Sequence, residues 1–152
     1  MANPSKDLLE AEGTLRLLID HLVDEQDGLK SIAEDMKDES LKRTLLAESL
    51  KRAEFRGELE NLLHQDGVRD VKQSGTAAGT FVRVWTQLKA KLGAGDSGLI
   101  QAAAEGERSV LDAYGDALQR DLPLPTRQVL ARHAARIGET HYLLGVAVER
   151  AA

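Results

Sequence analysis

Residues 66–98 read DGVRDVKQSGTAAGTFVRVWTQLKAKLGAGDSG, and this stretch decides the fold. Asp66-Gly67 is a helix stop, because glycine takes the left-handed conformation that closes a helix at little cost. Residues 67–76 read as loop. Phe81, Trp85, Leu88 and Leu92 then recur at steps of four, three and four, which marks one face of a helix over 77–92. Gly93 ends it. Gly93-Ala94-Gly95-Asp96-Ser97-Gly98 is a second break, whose Asp96 or Ser97 can cap the next helix. A helix of about 15 residues is roughly 22 Å long at 1.5 Å per residue. With its flanking loops it can carry the chain from one end of a bundle back to the other.

Long helices lie on both sides of this connection. Upstream, Leu41, Leu45, Phe55, Leu59 and Leu62 share a stripe on a helix over 39–65. Before it, Leu8, Leu15, Leu18, Leu22, Leu29, Ile32 and Met36 form another, over 14–36. Gly13-Thr14 reads as its start, with Thr14 as N-cap and residues 1–13 as a frayed N-terminal segment. Lys37-Asp38-Glu39 is a short polar joint. Downstream, Ile100, Ala103, Val110, Tyr114 and Ala117 mark a helix over 97–120. Leu122-Pro123-Leu124-Pro125 stops it, and Pro125 suits the first turn of the next. That last helix, 125–149, carries Leu130, Ile137, Leu144 and Val148.

Short joints make the first and last helix pairs antiparallel hairpins. The long middle connection separates them. The expected fold is therefore all-α: one domain over 1–152, a ferritin-like antiparallel four-helix bundle with a short fifth helix in the long crossover. A simple up-and-down bundle with an appended helix is the alternative.

Composition narrows the function classes. The chain has 152 residues, no cysteine and a formal net charge of -5, so thiolate metal sites and thiol nucleophiles are excluded. Lys51-Arg52 and Lys89-Ala90-Lys91 are too short to form a nucleic-acid patch. No apolar run approaches the roughly 20 residues that span a bilayer. The polar, acidic opening MANPSKDLLEAEG does not resemble a secretory signal. A cytoplasmic protein with a protein partner or a second copy of itself is expected, without nucleic acid and without a membrane span. Residues 93–98 match G-x-G-x-x-G literally, but a helix precedes them where dinucleotide binding needs a strand. Trp85 reads as the anchor of the connecting helix. His21 and His64 read as surface residues, and no catalytic Ser/His/Asp order stands out.

Charged residues interrupt the apolar stripes. Glu25, beside Gln26, takes the core step between Leu22 and Leu29. Glu48 and Arg52 take the steps between Leu45 and Phe55, and Glu107 the step between Ala103 and Val110. His133 and His141 stand four residues either side of Ile137. Folding the first hairpin about position 38 sets Gln26 opposite position 50. Folding the second about 123 sets Glu107 opposite 139. All these groups fall near mid-bundle. Buried charges are costly unless paired or bound to metal, which leaves two readings. In one, Arg52 pairs with Glu25, Glu48 or Glu107 in a structural polar cluster with Gln26 and His133. In the other, carboxylates and histidines of facing helices hold a divalent cation, iron among the candidates. The Glu-x-x-His pair typical of dinuclear carboxylate sites is absent from the sequence: Glu60 and His64 are four apart, Glu139 and His141 two.

Read together, these residues resemble a bacterial family of uncharacterised four-helix-bundle proteins placed with the ferritin-like superfamily. The resemblance covers about residues 14 to 148. It rests on Ala33-Glu34-Asp35, Lys37-Asp38 and Leu41; on Arg52, Phe55 and Glu58-Leu59; on Ala78-Gly79, Trp85 and Leu88-Lys89; on Gly106-Glu107, Ala113-Tyr114 and Asp116-Ala117-Leu118; and on Asp121-Leu122-Pro123 and His141. It implies the fold and assigns no activity. Glu58, Glu107 and His141 stand at matching positions, while Gln26 stands where the pattern has Glu. An amide is a poor metal ligand, so the resemblance implies an incomplete or mononuclear site; in the metal reading Glu107 and His141 are the candidate ligands, helped by Glu25, Glu48 or Glu58. The function expected is that of a ferritin-like bundle without catalysis, in protein interaction or stress response. The alternative is a metal-binding bundle with oxidase or storage chemistry.

Overall fold

The computed structural model describes residues 4–68, 85–92 and 95–151. Among them are only helices: α1 (Pro4–Glu34), α2 (Glu39–Gln65), α3 (residues 85–92), α4 (Gly95–Leu118) and α5 (Leu124–Ala151). The expected all-α bundle is met. Residues 77–84 of the expected connecting helix, with Phe81 and Ala78-Gly79, lie outside the described residues.

The first helix differs from expectation. It begins at Pro4, not at Gly13-Thr14, and Thr14 is a buried interior residue, not a cap. Glycine inside a helix costs about 1 kcal/mol relative to alanine. Ala11 and Leu15, on either side of Gly13, are buried in the core, and that packing outweighs the local preference. Proline at the first turn needs no N–H and starts the helix well.

The joints follow backbone chemistry. Asp38 caps α2, its carboxylate accepting from the Leu41 N–H at 3.0 Å. At the other end Gly67 has φ +89, with Gly67 N–H donating to the His64 carbonyl and Val68 N–H to that of Leu63. Those two bonds close the helix as the sequence expects. Asp96 does something unforeseen. Its two carboxylate oxygens accept from the Lys37 and Asp38 N–H groups, each at 2.8 Å, and so clamp the α1–α2 joint to the first turn of α4.

This clamp fixes direction. α4 begins where α1 ends and α2 begins, so α1 and α4 are antiparallel while α2 and α4 run the same way. The segment joining α2 to α4 starts at one end of the bundle and finishes at the other. α1 packs on α2 and α4, and α5 packs on α4 and α2. The core between them is mainly Leu, Ile and Ala, with Phe55, Trp85 and Tyr114 as its large rings.

α3 is held by Trp85, which is 5% exposed. Its indole lies against Gly28 of α1 and Gly106 of α4, and a methyl group at either position would overlap the ring. Two glycines on facing helices thus make a notch for one side chain. Lys89, one turn on, binds the hydroxyl and carbonyl oxygens of Ser31 and pairs with Asp35 at 2.6 Å.

Candidate functional site

The heptad-like steps that place leucine in the core place Glu48 and Arg52 there too, one turn apart on α2. Arg52 is fully buried, the largest side chain with no exposed surface. Its guanidinium fans across three helices. Nε donates to Glu25 Oε2 on α1 at 2.8 Å, Nη1 to Glu48 Oε2 at 2.9 Å and Nη2 to Glu107 Oε2 on α4 at 2.9 Å. Nη2 also reaches the Thr140 hydroxyl of α5 at 3.3 Å. The face of Phe55 lies 5.4 Å from Cζ. Only arginine has rigidly forked donors enough to serve three carboxylates at once.

The outer side of this layer is closed from α5. Arg136 pairs with Glu48, and the Thr140 hydroxyl lies 3.1 Å from Glu48 Oε2. Desolvation pulls the Glu48 carboxyl upward, but the bonds from Arg136, Arg52 and Thr140 outweigh it and hold the group below its ordinary range. Glu25 behaves oppositely. Burial and the neighbouring Glu107 push it well above that range, against the pull of Arg52. Oε1 of Glu25 and Oε1 of Glu107 are both buried and have no hydrogen-bond partner among the described residues.

A second cluster forms one layer further along. The Tyr114 hydroxyl and His133 Nδ1 are 2.9 Å apart, and the imidazole stacks on Phe55 with centroids 4.0 Å apart. Both groups are fully buried. Burial lowers His133 to about 4, despite the opposing Glu58 carboxylate 3.4 Å from Nε2. Burial likewise raises Tyr114. Glu58 is tied chiefly by a two-pronged pair with Arg132, which lowers it.

The expected residues therefore separate. Glu25, Glu48 and Glu107 meet at Arg52. Glu58 belongs to Arg132 and His133. His141 is half-buried, with Nδ1 3.0 Å from the Ala104 carbonyl. Gln26 contributes its backbone carbonyl, which accepts from Ser49 Oγ at 3.0 Å, and its amide is outside the ion layer. His133 sits with Tyr114, not with Arg52. Among the described residues no three His, Asp or Glu side chains are placed to share a metal ion. His21, expected at the surface, is buried on α1, and burial lowers it to about 4. Its stripe position, one before Leu22, was readable as core-adjacent. His64 is exposed as expected. Arg136 and Thr140 escaped sequence reading because Arg136 is off the apolar stripe and a threonine in a helix carries no charge signal.

No curated protein matches the chain in sequence. The family described as a domain of unknown function, DUF2383, matches residues 10–120, from the first turns of α1 to just past the end of α4. That span includes Glu25, Glu48, Arg52 and Glu107, so three of the four helices that meet in the ion layer lie within it, and the chain belongs to this family.

Proposed function

We propose that this chain is a ferritin-like bundle with a non-enzymatic, cytoplasmic role in protein interaction, and that its central charge layer is structural. Arg52 carries the reading. A buried guanidinium takes one oxygen from each of three carboxylates, fills the space between them and repels a second cation. Glu107 and His141, the pair best placed by resemblance to hold a metal, are spent on different partners. No side chain in the layer is a primed nucleophile. An interaction role is supported by a groove of about 320 Å³ between α1 and α4, lined by Leu9, Leu17 and Ala117 together with Glu10, Asp116 and Arg120. Leu9 and Leu17 are 66% and 45% exposed there.

Thermal unfolding with chelator, and with excess Fe²⁺, Mn²⁺ or Zn²⁺, tests this reading. The expected result is one melting temperature in every condition. A tight site would add about 2.7 kcal/mol at a hundredfold excess over its dissociation constant. A saturable increase of that size, lost in Glu107→Ala and His141→Ala, overturns the structural reading in favour of a metal-binding bundle.

A further inference from the structure

The charge layer contains two guanidinium groups, Arg52 and Arg136, and three carboxyl groups, Glu25, Glu48 and Glu107. It is one negative charge in excess if every carboxyl group is ionised. Glu48 faces both cations, so the excess falls on Glu25 and Glu107. These two have no exposed surface and converge on neighbouring nitrogens of one guanidinium, Nε and Nη2 of Arg52. Each gives Oε2 to Arg52, and each has a buried Oε1 with no donor. Two ionised carboxylates in that position would repel at close range in a medium of low dielectric, with two desolvated lone-pair sets unanswered. One proton removes the repulsion and turns one acceptor into a donor, since a carboxylic acid donates where a carboxylate only accepts.

We propose that Glu25 and Glu107 form a buried proton-binding site, in which one proton taken from solvent on folding is held by the pair at neutral pH. This rests on reading the layer as structural. The surroundings are consistent with it on every side. α1 also carries His21, one turn before Glu25 and neutral by burial, and the buried Asp24 beside Glu25 in sequence. α2 supplies Arg52 and Glu48. α4 supplies Tyr114, whose buried hydroxyl stays protonated. α5 supplies Arg136, Thr140 and the neutral His133. α3 presents only the indole of Trp85 to this region, at Gly28 and Gly106, while Lys89 is bound to Ser31 and Asp35.

The sign of the linkage follows. Glu25 holds the proton more tightly folded than unfolded, because burial and the neighbouring Glu107 raise it. Its contribution is complete below the ordinary carboxylate range and declines as pH rises, until the raised pKa of folded Glu25 is passed. Glu25→Gln mimics the protonated state: its carbonyl can accept from Arg52 and its amide can donate to Glu107.

The test measures folding constants by urea unfolding from pH 5 to 9 for the native chain and for Glu25→Gln. The ratio of native to variant constants should fall about tenfold per pH unit above the carboxylate range. Infrared spectra of the native protein at neutral pH supply a readout that needs no variant: a carboxylic-acid C=O band that vanishes at alkaline pH. A ratio independent of pH, or no acid band with melting indifferent to metals, overturns the shared proton and leaves the structural layer standing. An acid band that a saturating metal displaces keeps the proton and overturns the structural reading of the layer.

Discussion

Replacing Arg52 by methionine tests what the ion layer does for the fold. Methionine fills much of the same volume, so the loss measured is mainly electrostatic. Glu48 would keep Arg136 and Thr140. Glu25 and Glu107 would lose the guanidinium, their only donor among the described side chains, while remaining fully buried. Stranding a buried charge in this way costs about 3–5 kcal/mol. For a chain of this length each kcal/mol is worth roughly 2–4 °C, so the melting temperature should fall by about 6–20 °C. Circular dichroism during heating and in urea at pH 7 measures both. The deficit should shrink as pH is lowered, because protonation neutralises the carboxylate left charged, and the triple change Arg52→Met, Glu25→Gln, Glu107→Gln should recover most of it. A loss below about 1 kcal/mol, or one indifferent to pH, refutes the claim that Arg52 neutralises buried acids.

Two further outcomes follow from other parts of the core. Gly28→Ala and Gly106→Ala should destabilise by about 1–3 kcal/mol through overlap with the indole, although alanine is the better helix former, and should red-shift the emission of the single tryptophan. Gly57→Ala and Gly115→Ala, with nothing near the added methyl, should instead gain about 0.5–1 kcal/mol; equal effects at all four sites would discredit the notch. His21 and His133, lowered by burial to about 4 each, stabilise fully above pH 6.5 and lose that contribution as pH falls toward 4, at about 1.4 kcal/mol per pH unit per histidine. Their imidazole NMR signals should not titrate until near pH 4, and a midpoint near 6.5 for His133 would contradict its burial.

Much of this arrangement was written in residue spacing. Register came through well. Folding the hairpins about 38 and 123 set Gln26 opposite 50 and Glu107 opposite 139, and the structure joins Gln26 to Ser49, Ala104 to His141 and Tyr114 to His133. Hairpin register is legible because both helices rise equally per residue from a short joint. Arg52 was legible because an arginine on a leucine stripe has to find acids. The start of α1 was not, since Gly13 looks like a boundary when only local propensity is weighed. Nor was the Asp96 clamp: an aspartate before a helix ordinarily caps that helix, and only the folded bundle reveals that two unbonded amides of another joint lie nearer. Arg136 and Thr140 were missed because their roles depend on which face of α5 meets α2.

The layer also bears on why the bundle has one packing. Leucines alone would let α1 slide along α2 by a turn and still bury apolar surface, since Leu15, Leu22 and Leu29 repeat at intervals of seven. Such a slide would carry Glu25 about 5.4 Å or more along the axis, out of reach of Arg52 Nε. It would leave an acid and a guanidinium buried apart, at a cost comparable to the 3–5 kcal/mol of a broken pair. A slide of α4 would do the same to Glu107 and would also drive the backbone off Trp85, because the notch exists only where Gly28 and Gly106 face each other. Arg52 and Trp85 therefore act on the same seam by opposite physics. The arginine penalises misalignment by charge and the tryptophan by volume. Replacing the whole ion layer with apolar residues of equal size could raise stability, as such exchanges often do. It would remove the charged pair that distinguishes one turn of the α2 stripe from the next, and with it the device that aligns three helices to a single depth.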